Sequence, residues 1–208
     1  MNTSVSPKTA SKPRQNREAR QQHILDATAR CVRQSGFHGA SMASIAQEAG
    51  MSVGVIYRYF ANKEAIIEAI VANDLAEMRE KFAEFDNVAD KDLIDRLVDI
   101  IPMAIEHKYN SEKTALALEV LAEAARNPNV AAIIKKSEAQ ERELVLPLLR
   151  RIYGDDIDAS TLLTRNEVIV MIFDGMLVRS VCAPDIDRDQ MIKWLRKVVR
   201  YAFEMKDA

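Results

Sequence analysis

The stretch SMASIAQEAGMSVGVIYRYF, Ser41 to Phe60, decides the fold of this chain. Ser41 can cap a short helix that turns Ile45, Ala46 and Ala49 inward, and Gly50 follows where a glycine tolerates the left-handed backbone of a sharp stop. Ser52 can cap a second short helix, predicted to end at Phe60. Ala46 and Ala49 are small enough for two helices to cross closely, while Ile45, Met51, Ile56 and Phe60 supply the apolar contacts that hold the pair to a neighbour. This spacing predicts a helix-turn-helix, in which the first helix braces the second and the second enters a major groove.

The residues left outside that apolar set sharpen the reading. Ser52, Val53, Gly54, Val55, Tyr57, Arg58 and Tyr59 combine hydroxyls, a guanidinium and a bare glycine backbone, with few acids nearby. Tyr and Arg bond phosphates or base edges, Gly54 permits close approach, and an exposed valine can touch a thymine methyl. The plainer alternative for Tyr57 and Tyr59 is that both rings simply pack.

Working outward, Ile24, Thr28, Cys31 and Val32 share one face of a first helix that starts near Asn16 and closes at Ser35-Gly36. A fourth begins at Asn62 and carries Ile67, Val71, Leu75, Met78, Phe82 and Phe85 at steps of three or four. A fifth, around Leu93, Leu97, Val98 and Ile101, is interrupted at Pro102. The sixth carries Leu118 and Leu121 and stops at Asn127-Pro128. The seventh runs from Asn129 to Tyr153, the eighth from Ser160 to Cys182 and the ninth from Arg188 to Met205. Nothing reads as a strand, so the expected fold is all-α: about nine helices, with a three-helix DNA-binding unit at 16–62 followed by a larger helical unit at 63–208. Residues 1–15, rich in Ser, Thr, Pro and Lys, are expected to be a disordered basic tail.

Charge is distributed unevenly. Residues 1–60 hold eight Lys or Arg against three acids, a surplus of five, so with a total of −2 the remainder carries −7. A basic end on an acidic body suits a polyanion, although an uneven solvated surface would look the same. Cys31 and Cys182 lie inside apolar helical patterns and are expected as buried thiols of a reducing cytoplasm. The N-terminus has no apolar signal-peptide core, and the longest aliphatic run, Val168 to Phe173, is too short to span a bilayer, so no membrane partner is expected.

Residues 17–66 resemble the N-terminal domain of TetR-family regulators without a gap. The likeness rests on Ile24-Leu25-Asp26-Ala27, Gly36-Phe37, Ile45-Ala46, Gly50-Met51-Ser52, Gly54, Tyr57-Arg58-Tyr59-Phe60 and Asn62-Lys63-Glu64. It implies a homodimer whose two helix-turn-helix units grip a partly palindromic double-stranded operator, and a helical domain whose small-molecule effector alters their spacing. It also implies that the positions of Tyr57, Tyr59 and Lys63 contact DNA and that Ser41 and Ser52 face phosphates from helix N-termini. With the residues read above, the candidate DNA-contacting set is Arg17, Ser41, Ser52, Val53, Gly54, Tyr57, Arg58, Tyr59 and Lys63. Three positions depart from the family pattern: Val53, Val55 and Ala43 stand where polar or basic side chains are common, which shifts the expected readout toward methyl contacts and DNA shape. Lys8, Lys12 and Arg14 of the tail could add phosphate or minor-groove contacts, or could simply be solvated.

For the larger unit, Met78, Phe82, Phe85, Met103, His107, Leu118, Phe173 and Met176 fall on inner stripes and form the candidate lining of a pocket for a hydrophobic or aromatic ligand. Each residue taken singly is more often core. The resemblance assigns dimerisation to the last two helices, here the eighth and ninth, where Met171, Val178, Val181, Trp194, Val198 and Tyr201 offer apolar area for both core and partner.

Several apparent chemical sites fail on spacing. Asp185, Asp187 and Asp189 alternate like a calcium loop, but Gln190 replaces the required glycine and Arg196 falls where the closing Glu belongs. They read instead as a loop leading into the ninth helix, and Asp155, Asp156 and Asp158 read as a solvated loop. His23, His38 and His107 lack metal-ligand spacing, and Glu106 beside His107 lacks the Glu-x-x-His step. With no phosphate loop or nucleophile motif, neither a cofactor nor catalysis is expected. The leading expectation is a repressor released by a small ligand. The alternatives are an activator or protein-partnered regulator of the same fold, or a helical ligand carrier or enzyme that does not bind DNA.

Overall fold

A computed structural model describes residues 12–205, the side chains of 12–15, 111 and 112 excepted. Among them are ten α-helices, two short 3-10 turns and no strand. The chain divides into two compact units, one ending at Ile66 and the other starting at Ile67. Most of the predicted tail, including Lys8, lies outside the described residues.

In the first unit, α1 (Lys12–Gly39) begins earlier than the expected start near Asn16. Pro13 falls in its opening turn, where a missing N–H breaks no helical bond. The helix is broken at Gly36, whose φ of 69° only glycine adopts without strain, and one further turn carries the chain to Ala40. Ile24, Leu25, Ala27, Cys31 and Val32 are buried along α1, and buried Thr28 returns its hydroxyl to the Ile24 carbonyl at 2.8 Å. Helix α2 (Met42–Glu48) packs on α1, and α3 (Val53–Tyr57) packs on α2.

Helix α4 (Lys63–Ala83) starts under a cap in which Asn62 Oδ1 accepts the Ala65 N–H at 2.8 Å. It stops short of its predicted stripe: Phe85 is buried in a 3-10 turn, Glu84–Asn87, rather than in the helix. A second 3-10 turn, Asp90–Asp92, leads into α5 (Leu93–Asp99). The expected fifth helix is two helices, because the chain breaks at Ile100 and restarts as α6 (Ile101–Lys108) with Pro102 in its first turn. Proline here opens a helix, the position where it costs least.

Helices α7 (Ser111–Ala124) and α8 (Pro128–Tyr153) follow, then α9 (Ala159–Cys182) and α10 (Arg188–Glu204). Two acids read as loop residues are caps. Asp158 Oδ1 accepts the amides of Ser160 and Thr161, and Asp187 Oδ1 accepts that of Gln190, so each satisfies amides that a helix start leaves unpaired. The main core of this unit gathers Val98, Ile101, Ile105, Tyr109, Leu149, Leu162, Met176, Val199 and Phe203 from α5, α6, α8, α9 and α10. A smaller cluster joins Phe85, Leu93 and Leu148. Cys31 is buried as expected, but Cys182, the last residue of α9, is exposed.

Arg151 fastens the 3-10 segment to α8. Its Nε bonds Asp90 at 2.8 Å, and its other nitrogens donate to the carbonyls of Phe85, at 3.0 Å, and Val88. Arg151→Met keeps the aliphatic stem and leaves those acceptors unpaired. It should lower stability by about 2 kcal/mol, the scale of lost charged hydrogen bonds, as read by urea unfolding. Unchanged stability would remove Arg151 from this role.

Candidate nucleic-acid interface

The first turn of α2 is closed by a reciprocal cap. Ser44 N–H donates to Ser41 Oγ at 3.0 Å, and Ser41 N–H donates to Ser44 Oγ at 2.9 Å. A serine thus fills the place usually held by Glu or Gln in such a box, which hid Ser44 from the sequence reading. At the other end Gly50 takes φ 62°, and Met51 N–H returns to the Ala46 carbonyl at 2.9 Å. The turn between the two helices is therefore set by backbone geometry that Gly50 alone adopts cheaply.

Helix α3 is only five residues long and ends at Tyr57, earlier than the predicted Phe60. Arg58 and Tyr59 close it through tightened bonds to the carbonyls of Val55 and Ile56. The tightening lets Phe60 turn back into the interior before Asn62 starts α4. Ile56 and Phe60 are buried, as are Ile45, Ala46 and Ala49, and Met51 is half-buried, so the apolar set read from the sequence faces the interior of this unit, Met51 in part.

What remains faces outward. Tyr57 is 53% exposed and Val53 38%, while Ser52, Gly54 and Arg58 are also exposed. Val55 and Tyr59 are half-buried, so Tyr57 does not pack and Tyr59 does so in part. Neither the Tyr57 nor the Arg58 side chain has a hydrogen-bond or ion-pair partner among the described residues. Ser52 makes no capping bond with its side chain. Ser41 and Arg17 are exposed. A short surface thus presents a phenol, a guanidinium, hydroxyls, a methyl-bearing side chain and bare backbone.

Two side chains that the sequence reading passed over steady this surface. His23 Nε2 donates to the Ala49 carbonyl at 3.0 Å, which ties α1 to the turn between α2 and α3. Arg30 Nε meets Glu48 Oε1 at 2.5 Å. That pair also places a cation beside the nearest acid of α2, which tempers repulsion toward a polyanion. Lys63 Nζ donates to the Phe37 carbonyl at 2.6 Å and stands 4.2 Å from the centre of the Phe37 ring.

In the second unit the predicted pocket residues divide. Phe82 and Phe85, with ring centres 5.8 Å apart, line a small cavity of about 80 Å³ with Leu144, Pro147, Leu148 and Arg151. Met176 is buried in the main core with half-buried Phe173 against it, so these two belong to a different cluster. Met78 and Leu118 are half-buried. Met103 does not lie on an inner stripe: it is 46% exposed, because α6 begins afresh at Ile101 and turns Ile101 and Ile105 inward instead. Half-buried His107 is held below the ordinary imidazole range, first by burial and then by the nearby cations Lys113 and Lys81. A wider open groove of about 430 Å³ between α8 and α9 has a charged lining that includes Glu138, Arg142, Glu167 and Asp174. Burial, with Asp174 and Glu167 nearby, pushes the Glu138 carboxyl upward. No cluster of three metal-ligating side chains occurs among the described residues. No helix among them is long and apolar enough to cross a membrane.

An outward surface of this kind, on a short helix braced by another, is the DNA-reading arrangement of a transcriptional regulator. Residues 24–70 match the family described as "Bacterial regulatory proteins, tetR family", and residues 93–203 match "BetI-type transcriptional repressor, C-terminal". The chain belongs to the TetR family, with a C-terminal part of the BetI type. That family is one of bacterial regulatory proteins. It is 33% identical to the HTH-type transcriptional regulator UidR of Escherichia coli (strain K12) over 127 residues, which are 61% of this chain and 63% of that protein. It is 37% identical to the HTH-type transcriptional regulator BetI of Paraburkholderia phytofirmans over 62 residues, 30% of this chain and 32% of that one. The matched stretches thus span less than two thirds of these relatives. Among solved structures, Salmonella enterica GusR superimposes with a TM-score of 0.76 at 25% identity, over 95% of this chain and all of that one. A fatty acid degradation regulator, FadR from Bacillus halodurans, shares the fold with a TM-score of 0.71 at 18% identity, over 92% and 96% of the two chains.

Gly54 has helical backbone and nothing within 4 Å of where a Cβ would stand. The subunit itself gives no reason for a glycine there, and helix propensity opposes it. Gly54→Ala should leave thermal stability equal or raised by up to about 1 kcal/mol. It should nevertheless weaken DNA binding about tenfold, the scale of one lost base contact, as measured by fluorescence anisotropy. Unchanged affinity would show that nothing approaches Gly54 closely.

Proposed function

We propose that this chain is a homodimeric repressor that holds a partly palindromic operator and leaves it when a small hydrophobic or aromatic ligand binds the second unit. The observation that carries the DNA-binding half of this reading is the exposure of Val53, Gly54 and Tyr57 on α3, and of Arg58 just after it, while Ile56 is buried and Val55 half-buried. Around them Arg17, Ser41, Ser52 and Tyr59 supply phosphate and sugar contacts, which position the helix without reading sequence. Val53 offers methyls rather than hydrogen bonds, so Arg58 and Tyr57 carry most of the direct readout. Repression is supported by the repressor type of the C-terminal match.

Dimerisation is supported by two stripes at helical spacing. Helix α9 exposes Val168, Met171, Val178 and Val181, and α10 exposes Trp194, Val198 and Tyr201, with Met205 exposed just past its end. Trp194 is 64% exposed, and such a run of apolar side chains is costly to leave in water. Effector binding is supported by the aromatic pair Phe82 and Phe85, which lines a cavity with Pro147, where a helix-breaking residue inside α8 gives the wall room to shift.

Footprinting the protein on DNA upstream of its own gene should show two protected half-sites, separated by about one or two helical turns, that are lost on adding an effector from an aromatic library. In the same assay Arg58→Ala should relax preference at one base position in each half-site, at a cost of about 1–3 kcal/mol. Absence of sequence-selective, salt-sensitive binding would defeat the reading. Trp194→Glu, on a ring open to solvent in the single subunit, should keep the helical circular dichroism spectrum while sedimentation velocity at micromolar concentration shows a monomer. A variant that stays dimeric would move the interface elsewhere.

A further inference from the structure

Lys63 has an ammonium that is already engaged. It donates to the Phe37 carbonyl at 2.6 Å and lies 4.2 Å from the centre of the Phe37 ring, 26 residues back in the chain. Phe37 is buried and belongs to the turn that follows the break at Gly36, directly before Ser41 caps α2. Carbonyls in the last turn of a helix lack an intrahelical N–H donor and carry partial negative charge, so a cation is favoured there.

The other end of the side chain makes the arrangement more telling. Lys63 is the first residue of α4, and a cation at a helix N-terminus is unfavourable. Reaching back to the end of α1 takes the charge from the wrong pole of one helix to the right pole of another. The aromatic face beneath it adds a cation–π contact and shelters the bond from water.

We propose that Lys63 is a positioning residue, which clamps the Phe37 corner and so fixes the angle at which α2 and α3 are presented, rather than a residue that neutralises a DNA phosphate. The proposal rests on the DNA-binding reading above and corrects the contact that the family resemblance implied for this position. A clamp and a phosphate contact differ in their response to salt. Each phosphate neutralised by a side chain contributes about 0.9 to the slope of log affinity against log salt, whereas a clamp contributes to affinity and leaves the slope alone.

The test measures operator affinity from low to moderate salt for the wild-type dimer, Lys63→Gln and Lys63→Arg, with circular dichroism to confirm folding. Lys63→Gln is expected to bind about tenfold more weakly at every salt concentration with an unchanged slope, the scale of one charge-assisted hydrogen bond. Lys63→Arg should recover most of that loss, since guanidinium also bonds a carbonyl and lies on a ring. If Lys63→Gln fails to fold, Lys63→Met, which keeps the aliphatic stem over the Phe37 ring, carries the test: weaker binding with the wild-type slope supports the clamp, and a slope reduced by about one overturns it. A slope reduced by about one in Lys63→Gln, or an affinity equal to wild type, overturns the proposal. A wild-type protein with no salt-dependent operator binding fails at an earlier step and overturns the DNA-binding reading, and this inference with it.

Discussion

The burial of Ile56 and Phe60 is the constraint on which the DNA-facing surface depends. A helix of five residues closes barely one turn, far below the length at which an isolated helix holds together in water. Helix α3 therefore exists because these two side chains anchor its C-terminal end and the turn after it inside the first unit. Everything it shows to the outside is carried on that anchorage. The same logic explains why its neighbours are so heavily fastened: the reciprocal Ser41 and Ser44 cap, the His23 bond to the Ala49 carbonyl and the Arg30 pair with Glu48 all act within a few residues of it.

The second unit solves a different problem. Its helices are long, and one main core drawn from five of them gives a continuous apolar interior. The segment around Phe85 stands apart in a smaller cluster and is held by Arg151 through backbone carbonyls rather than by bulk. Burial of this kind resists small changes, while a segment held by a few directed bonds has discrete ways to rearrange. An effector that alters a packed wall needs such a place in the structure.

Much of the fold was legible from periodicity and punctuation. Steps of three and four marked the long helices, Gly36, Gly50 and Gly154 marked three ends, and all three take positive φ. What escaped notice depended on context. Pro102 signalled an interruption, yet only packing decides whether a proline kinks one helix or opens the next. Asp158 and Asp187 looked like ordinary loop acids because the caps they form are defined by helix starts that sequence locates loosely. In the site, Val53, Gly54, Tyr57 and Arg58 were readable by elimination once Ile56 and Phe60 were assigned inward. His23 and Arg30 were not, since their partners lie 26 and 18 residues away. Phe82 and Phe173 looked equivalent on their helical stripes, but the fold sends them to separate clusters, and Met103 to the surface.

The economy of α3 bears on how such a regulator changes over time. Because two side chains and a handful of backbone bonds hold it in place, the outward positions carry almost no duty in folding. Substitutions there are filtered by the promoter and hardly at all by the stability of the subunit. On the reading proposed above, divergence can therefore rewire which genes the protein attends to while the second unit stays as it is, and a duplicated copy starts with that freedom already in hand.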